Sequence, residues 1–304
     1  MLQINNLCKT YGKHKALDGL TMEILKGALY GFVGPNGAGK TTTMKIIATL
    51  LGADSGSVII DGVDALKYPT IIKQKIGYMP DFFGVYDNLT VREYMEFYAS
   101  IYKISGRVAD RRIDELLELV RLRDKDQEMV DDLSRGMKQQ LCLARTLIHD
   151  PKLLILDEPA SGLEPRARIE LQKILQRLSE QKVTILLSSH LLQELSEVCT
   201  HIGIIDSGKI RVQGLVKEIM ARQVSENPMF IRVLDGIDTA ITILKTNPLV
   251  TNIASNERVI SFNLSGDESQ EAKLLQGMIT QGVVLSSFHR DQGNLEEVFL
   301  RLTQ

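Results

Sequence analysis

Cysteine is scarce in this 304-residue chain: Cys8, Cys142 and Cys199 are the only three, far apart and odd in number. That spacing suggests neither a disulfide framework nor a C-x-x-C metal site, and it fits a reducing cytosol. Long apolar runs are missing too. No stretch of the sequence approaches the ~18 apolar residues that a membrane span requires. The opening "MLQINNLCKTYGKHKAL" has no apolar core of the kind a signal peptide carries. If the protein works at a membrane, another chain is expected to do the spanning. Nor is charge of one sign in excess: 36 Lys and Arg against 38 Asp and Glu give a formal net charge of −2. Nucleic-acid binding, which shows as a basic domain or stripe, is therefore not expected. No internal repeat or low-complexity tract is visible. What is there is an ordinary globular composition, 44% hydrophobic and 24% charged, with a length that suits two domains.

Strand and helix signals alternate through the first two thirds. "ALYGFVG" (28–34) reads as a short buried strand running through a glycine-rich loop into the helix "KTTTMKIIATLLG". Helical spacing returns in 89–102, where Thr90 and Glu93 form a capping-box signature, and in 109–122, with Leu116, Leu117 and Val120 on one face. "KLLILDE" (152–158) reads as a buried strand, 168–181 as a helix, 182–189 as another strand, and 202–214 as a hairpin turning at Ser207-Gly208. This order predicts an α/β domain with a mostly parallel core. The pattern changes at Ser225–Pro228. Beyond it the expected order is strand (229–234), helix (237–246), strand (250–254), strand (258–264), helix (268–281) and strand (283–289). That is a ferredoxin-like βαββαβ arrangement, with a last helix over 294–303.

Four places carry chemistry. "GPNGAGKTT", Gly34 to Thr42, fits G-x-x-x-x-G-K-[ST] with Gly34, Gly39, Lys40 and Thr41. Glycines let successive backbone N–H groups turn towards phosphate oxygens, and the following helix adds its positive end. Lys40 is expected to reach the β- and γ-phosphates and Thr41 to hold Mg²⁺. "LLILDEP" places Asp157 and Glu158 at the end of an apolar strand, where one carboxylate can support Mg²⁺ and the other can orient or deprotonate water. "LLSSH" puts His190 just past the next strand, on the rim where parallel sheets bind ligands. The fourth place is less self-explanatory. "DDLSRGMKQQLCLAR" (131–145) makes a serine-glycine helix entrance at Ser134 and Gly136 with no acid or base beside it.

Phosphate loop, "LSRGM" (133–137), "LLILDEP", "SGLE" (161–164) and His190, in that order, resemble the ATP-binding cassette family over about residues 1 to 220. The resemblance implies a P-loop cassette over 1–224, with a parallel core sheet, an antiparallel N-terminal β subdomain and a helical subdomain at about 82–145. A small α+β accessory domain over 225–304 would follow. It implies that ATP and Mg²⁺ are bound and that two copies of the chain sandwich two nucleotides. Each nucleotide would lie between the loop of one copy (Gly34, Pro35, Asn36, Gly37, Ala38, Gly39, Lys40, Thr41, Thr42) and Ser134 and Gly136 of the other. That accounts for the bare helix entrance: it is an anion receptor whose base comes from another chain. By the same resemblance Tyr11 stacks on adenine, Asp157 supports Mg²⁺, Glu158 is the catalytic base and His190 contacts the γ-phosphate.

Departures from the family pattern are Asp81, in "IGYMPD", where Gln is usual and where a carboxylate could still face Mg²⁺; Arg135 and Met137 for Gly and Gln; and Glu164 for Asp. Arg135 is expected either to aid phosphate contact or to lie in solvent. Phe82, Phe83, Tyr86 and Tyr94 are candidates for a groove receiving a helix of a transmembrane permease subunit. The segment "LEEVFL" (295–300) is similar to that of bacterial export ATPases. The resemblance implies an ATPase motor on the cytoplasmic face of the membrane, touching the bilayer only through its permease. The alternatives are a non-transport cassette ATPase of translation or DNA repair, and a regulatory subunit with weakened hydrolysis.

Overall fold

The computed structural model describes residues 1–82, 84, 86, 88–191, 195, 197–219 and 228–290. Phe83, Ser225 to Asn227, the expected last helix over 294–303 and the segment 295–300 lie outside the described residues. The chain divides into two compact units, Met1–Leu215 and Val216–Gln304. Among the described residues no helix is long and apolar enough to cross a membrane.

The first unit holds two sheets. Strands β1 (Leu2–Tyr11), β2 (His14–Ile24), β4 (Ser55–Ile60) and β5 (Val63–Asp64) form an antiparallel sheet in the order β2-β1-β4-β5. The second sheet contains β3 (Leu29–Val33), β6 (Ile76–Met79), β7 (Leu153–Leu156), β8 (Thr184–Ser189), β9 (His201–Asp206) and β10 (Lys209–Leu215), in the order β10-β9-β3-β8-β7-β6. All its neighbours run parallel except the closing β9–β10 hairpin. Every residue of β3, β7 and β8 is buried. That is the mark of central parallel strands covered on both faces, and it explains their continuous apolar runs.

Helix α1 (Lys40–Ile47) follows β3, and α2 (Pro69–Lys73) precedes β6. Between β6 and β7 come α3 (Val91–Ile101), α4 (Gly106–Leu119) and α5 (Arg135–Thr146). Thr90 and Glu93 do form a reciprocal capping box at the start of α3. Leu116, Leu117 and Val120 are buried as their spacing predicts. Helix α6 (Pro165–Glu180) starts on a proline, whose missing N–H costs nothing in a first turn, and buries Leu171, Ile174, Leu175 and Leu178.

Of the groove candidates, Tyr94 belongs instead to the core of the helical subdomain. It is fully buried, and its hydroxyl accepts a hydrogen bond from Arg145 Nη1 at 2.6 Å. Its ring is part of the packing between α3 and α5 and is not available to an outside groove. Phe82 and Tyr86 are exposed.

The second unit contains β11 (Met229–Asp235), α7 (Ile237–Thr246), β12 (Val250–Asn256), β13 (Val259–Leu264), α8 (Glu268–Thr280) and β14 (Val284–Arg290). Its sheet is antiparallel in the order β12-β13-β11-β14. Ile231, Ile260 and Phe262 of the sheet share one core with Ala240 and Leu244 of α7 and Leu274 and Met278 of α8.

Candidate nucleotide site

The turn between β3 and α1 is shaped by what crowds it. A side chain on Gly34 would place its Cβ 2.4 Å from the Ile205 carbonyl of β9, so only glycine fits. Gly39 caps α1 with φ at 108°, and a Cβ there would stand 2.7 Å from the Ala16 carbonyl of β2. The loop is thus wedged between β2 and β9 with its backbone exposed at Asn36 and Gly37. Lys40, the first residue of α1, is 7% exposed. Its Nζ donates to the carbonyls of Gly34 at 2.6 Å and Pro35 at 3.4 Å.

Asp157 and Glu158 follow β7. Asp157 is 1% exposed, and its Oδ1 accepts from the Ser188 hydroxyl at 2.7 Å. The same Ser188 oxygen accepts the Glu158 N–H at 2.9 Å, so one side chain of β8 fixes both acids. Glu158 has a positive φ of 48°, which no β-branched or bulky residue adopts readily. That bend turns its carboxylate away from β7 and into the cleft. There Oε1 lies 3.5 Å from Lys40 Nζ and Oε2 lies 2.9 Å from His190 Nδ1.

One open cleft is lined by Tyr11, the loop from Pro35 to Thr42 at most positions, Asp81, Glu158, Ser161 and His190. Gly34, Ala38 and Asp157 are buried beneath it. Tyr11 is half exposed at the end of β1, paired in register with His14. Burial, together with the charges of Asp157 and then Glu158, pushes the Asp81 carboxyl above its usual range; Arg135 and His190 oppose this. Burial, and then the charges of Asp157 and Asp81, push the Tyr78 hydroxyl up to about 12.

The Asp157 Oδ2 oxygen is buried with no hydrogen-bond partner. An unpaired carboxylate oxygen in the interior is costly unless a cation completes it. Asp157, with the Thr41 hydroxyl and Asp81 on the same cleft, therefore suits a hard divalent cation that takes oxygen ligands.

Ser134 and Gly136 stand apart from this cleft. Ser134 is the N-cap of α5, its hydroxyl accepting from the Met137 N–H at 3.3 Å. Arg135 is exposed and hydrogen-bonded. It donates from Nη2 to the Ser161 carbonyl of its own chain at 3.2 Å. Glu164 is the N-cap residue of α6, without a side-chain capping bond.

Two residues of the site went unread in the sequence. Ser188 precedes His190 by two positions, a strand period that brings both to one side, and this was a usable signal. Gln139 lies one helical turn after Arg135; nothing in its local sequence marks it.

A strand–glycine loop–helix unit, with paired acids at the end of a parallel strand two places along the same sheet, defines a P-loop nucleotide-binding protein. Residues 17–161 match the ABC transporter family. The chain is 31% identical over 306 residues to the linearmycin resistance ATP-binding protein LnrL of Bacillus subtilis (strain 168), covering 100% of this chain and 98% of that one. It is 33% identical to the bacitracin transport ATP-binding protein BcrA of Bacillus licheniformis, covering 99% and 97%. Among solved structures it resembles the dimeric post-hydrolysis state of the ATP-binding cassette MJ0796 bound to ADP and Pi. That match has a TM-score of 0.64 and 25% identity, over 71% of this chain and 99% of that one. The protein belongs to the ATP-binding subunits of ABC transporters.

Proposed function

We propose that this chain is the ATP-hydrolysing motor of an exporter, working as a nucleotide-sandwich homodimer beneath transmembrane permease subunits on the cytoplasmic face of the membrane. The observation that carries the reading is the Glu158 carboxylate, held between Lys40 and His190 above the phosphate loop, with an unpaired Asp157 oxygen beneath. The backbone N–H groups of Gly37 to Thr41 and the N-terminus of α1 bind the phosphates. Lys40 releases the Gly34 carbonyl to reach the γ-phosphate, and Tyr11 stacks on adenine. Asp157, Thr41 and Asp81 would hold Mg²⁺, which neutralises charge on the β- and γ-phosphates when bound. Glu158 takes the proton of the attacking water. His190 orients that carboxylate and contacts the γ-phosphate. Ser134 and Gly136 close over the nucleotide of a second copy, whose hydrolysis then reopens the pair.

Export is supported by relatives named for antibiotic resistance and for Nod factor export. Those names do not favour the translation or repair alternative. The second unit supports a ferredoxin-like accessory domain over 225–304 through its βαββαβ order and its sheet order β12-β13-β11-β14. The exposed rings of Phe82, Tyr86 and Phe97 support a permease-facing surface near α3.

The test is the mass of the Glu158→Gln protein by light scattering, with and without Mg-ATP, repeated with Ser134→Arg added. ATP should double the mass, and Ser134→Arg should abolish the doubling. A protein that binds ATP yet stays monomeric in both forms would sink the homodimeric sandwich.

A further inference from the structure

The start of α5 is fastened to the loop after Glu158 at two points, one helical turn apart. Gln139 is 4% exposed, and its Nε2 donates to the Pro159 carbonyl at 2.6 Å. Arg135, four residues earlier on the same helix face, donates to the Ser161 carbonyl at 3.2 Å. Its guanidinium covers Gly162 so closely that a Cβ there would come within 2.4 Å of Nη2. Between the two anchors, Gly136 brings α5 against α6. A Cβ on Gly136 would meet that of Ala167 at 2.8 Å. The bracket is therefore packed as well as hydrogen-bonded.

Arg135 occupies a position that disfavours a cation. It is the first residue of α5, where the positive end of the helix repels it. The Ser161 carbonyl and the charge of Asp81 offset that repulsion. Ser161 in turn lines the nucleotide cleft together with Asp81, Glu158 and His190. An arginine in the serine-glycine entrance thus acts on the rim of its own chain's cleft.

We propose that Arg135 is a positioning residue for hydrolysis of the nucleotide held by its own chain. With Gln139 it braces the loop Pro159–Gly162 against α5, so that the half-site carrying Glu158 and the half-site carrying Ser134 shift as one piece. The proposal rests on the motor reading above. It makes a prediction that a phosphate-contacting arginine does not: the effect is felt in cis. An arginine reaching the γ-phosphate from this position would act in trans, on the second copy's nucleotide.

The test uses mixed dimers. One part of a chain with intact Glu158 is combined with a large excess of Glu158→Gln chain before Mg-ATP is added, so that nearly every intact Glu158 sits in a mixed pair. Arg135→Ala is placed first on the intact chain, then on the Glu158→Gln chain. In cis it should lower kcat on the order of tenfold to a hundredfold, the scale of a misplaced catalytic geometry. The KM for ATP, set by the Lys40 loop, should stay within about twofold. Arg135→Lys, which keeps a donor for the Ser161 carbonyl, should restore most of the rate. Gln139→Met should repeat the loss in cis. On the Glu158→Gln chain, Arg135→Ala should change little. A loss that appears only in trans, or in neither arrangement, overturns the brace and leaves the motor intact. No turnover by the unsubstituted mixed dimer overturns the motor reading, and the brace with it.

Discussion

Glu158 Oε2 lies 2.9 Å from His190 Nδ1, and this pairing joins a residue after β7 to one after β8 across the mouth of the cleft. Groups that act as one unit lose their effect together. Glu158→Gln should lower turnover on the order of 10²–10⁴-fold, the usual worth of a positioned general base. His190→Ala should fall within the same range. The double variant should be no slower than Glu158→Gln alone. Single-turnover measurements with Mg-ATP would show this, and a double variant slower by the product of the two losses would mean that His190 acts independently of the carboxylate.

Ser188 is the hidden support of the same pair. Its hydroxyl donates to Asp157 and accepts from the Glu158 N–H, and it is fully buried. Ser188→Ala leaves an acceptor and a donor unsatisfied in the interior, which costs about 1–3 kcal/mol. It also frees the Glu158 backbone from the anchor that helps hold φ at 48°. The expected outcome is a lower urea midpoint together with a drop in kcat larger than in ATP affinity. Equal losses in both would indicate that the serine serves stability alone.

The parallel core and the phosphate loop were legible because burial on both faces forces continuous apolar runs, and because a phosphate cradle needs glycines at fixed spacing. The runs 29–33, 153–156 and 184–189 show the first and Gly34 to Thr41 the second. What could not be read were contacts made by residues with several possible partners. Arg135 was open to solvent or to phosphate by sequence alone; its acceptor, the Ser161 carbonyl, is 26 residues away. Tyr94 was open to a groove or to the core of the helical subdomain by sequence alone, because its partner Arg145 is 51 residues on. Asp81 was recognised as a departure, but its raised pKa depends on burial, Asp157 and Glu158 together.

That shift has a stability consequence. An acid whose folded pKa lies above its ordinary 3.8 is disfavoured in its charged form by the fold. The penalty is complete at pH values above the folded pKa. It shrinks as pH falls through that value and is gone below 3.8. Asp81→Asn removes the charge, so it should stabilise the nucleotide-free protein at pH 8. Solvent screening at the cleft holds the gain below about 1 kcal/mol. A series of thermal melts from pH 8 down to pH 3.8, without magnesium, should show the gain shrinking towards the acid end. A gain that grows on acidification would contradict the assignment.

Arg145 ties the far end of α5 to α3. Its Nη1 donates to Tyr94 Oη at 2.6 Å and to Tyr98 Oη at 2.9 Å, with the guanidinium 5.0 Å from the Tyr98 ring centroid. Hydrogen bonds from a charged donor in a buried setting are worth about 1.5–3 kcal/mol each. Tyr94→Phe should cost that much in unfolding free energy, because the ring packing survives and only the acceptor is lost. Tyr98→Phe, at a less buried hydroxyl, should cost about half as much. The two share one guanidinium, so the double variant should depart from additivity. Because α5 carries Ser134 at its other end, loosening this tie should also weaken the ATP-driven dimer of the Glu158→Gln protein. Denaturant titration and light scattering on the same three variants separate the two effects. A stability loss with an unchanged dimer would place Arg145 in the scaffold of α3 and α5 and remove it from the closure of the nucleotide sandwich.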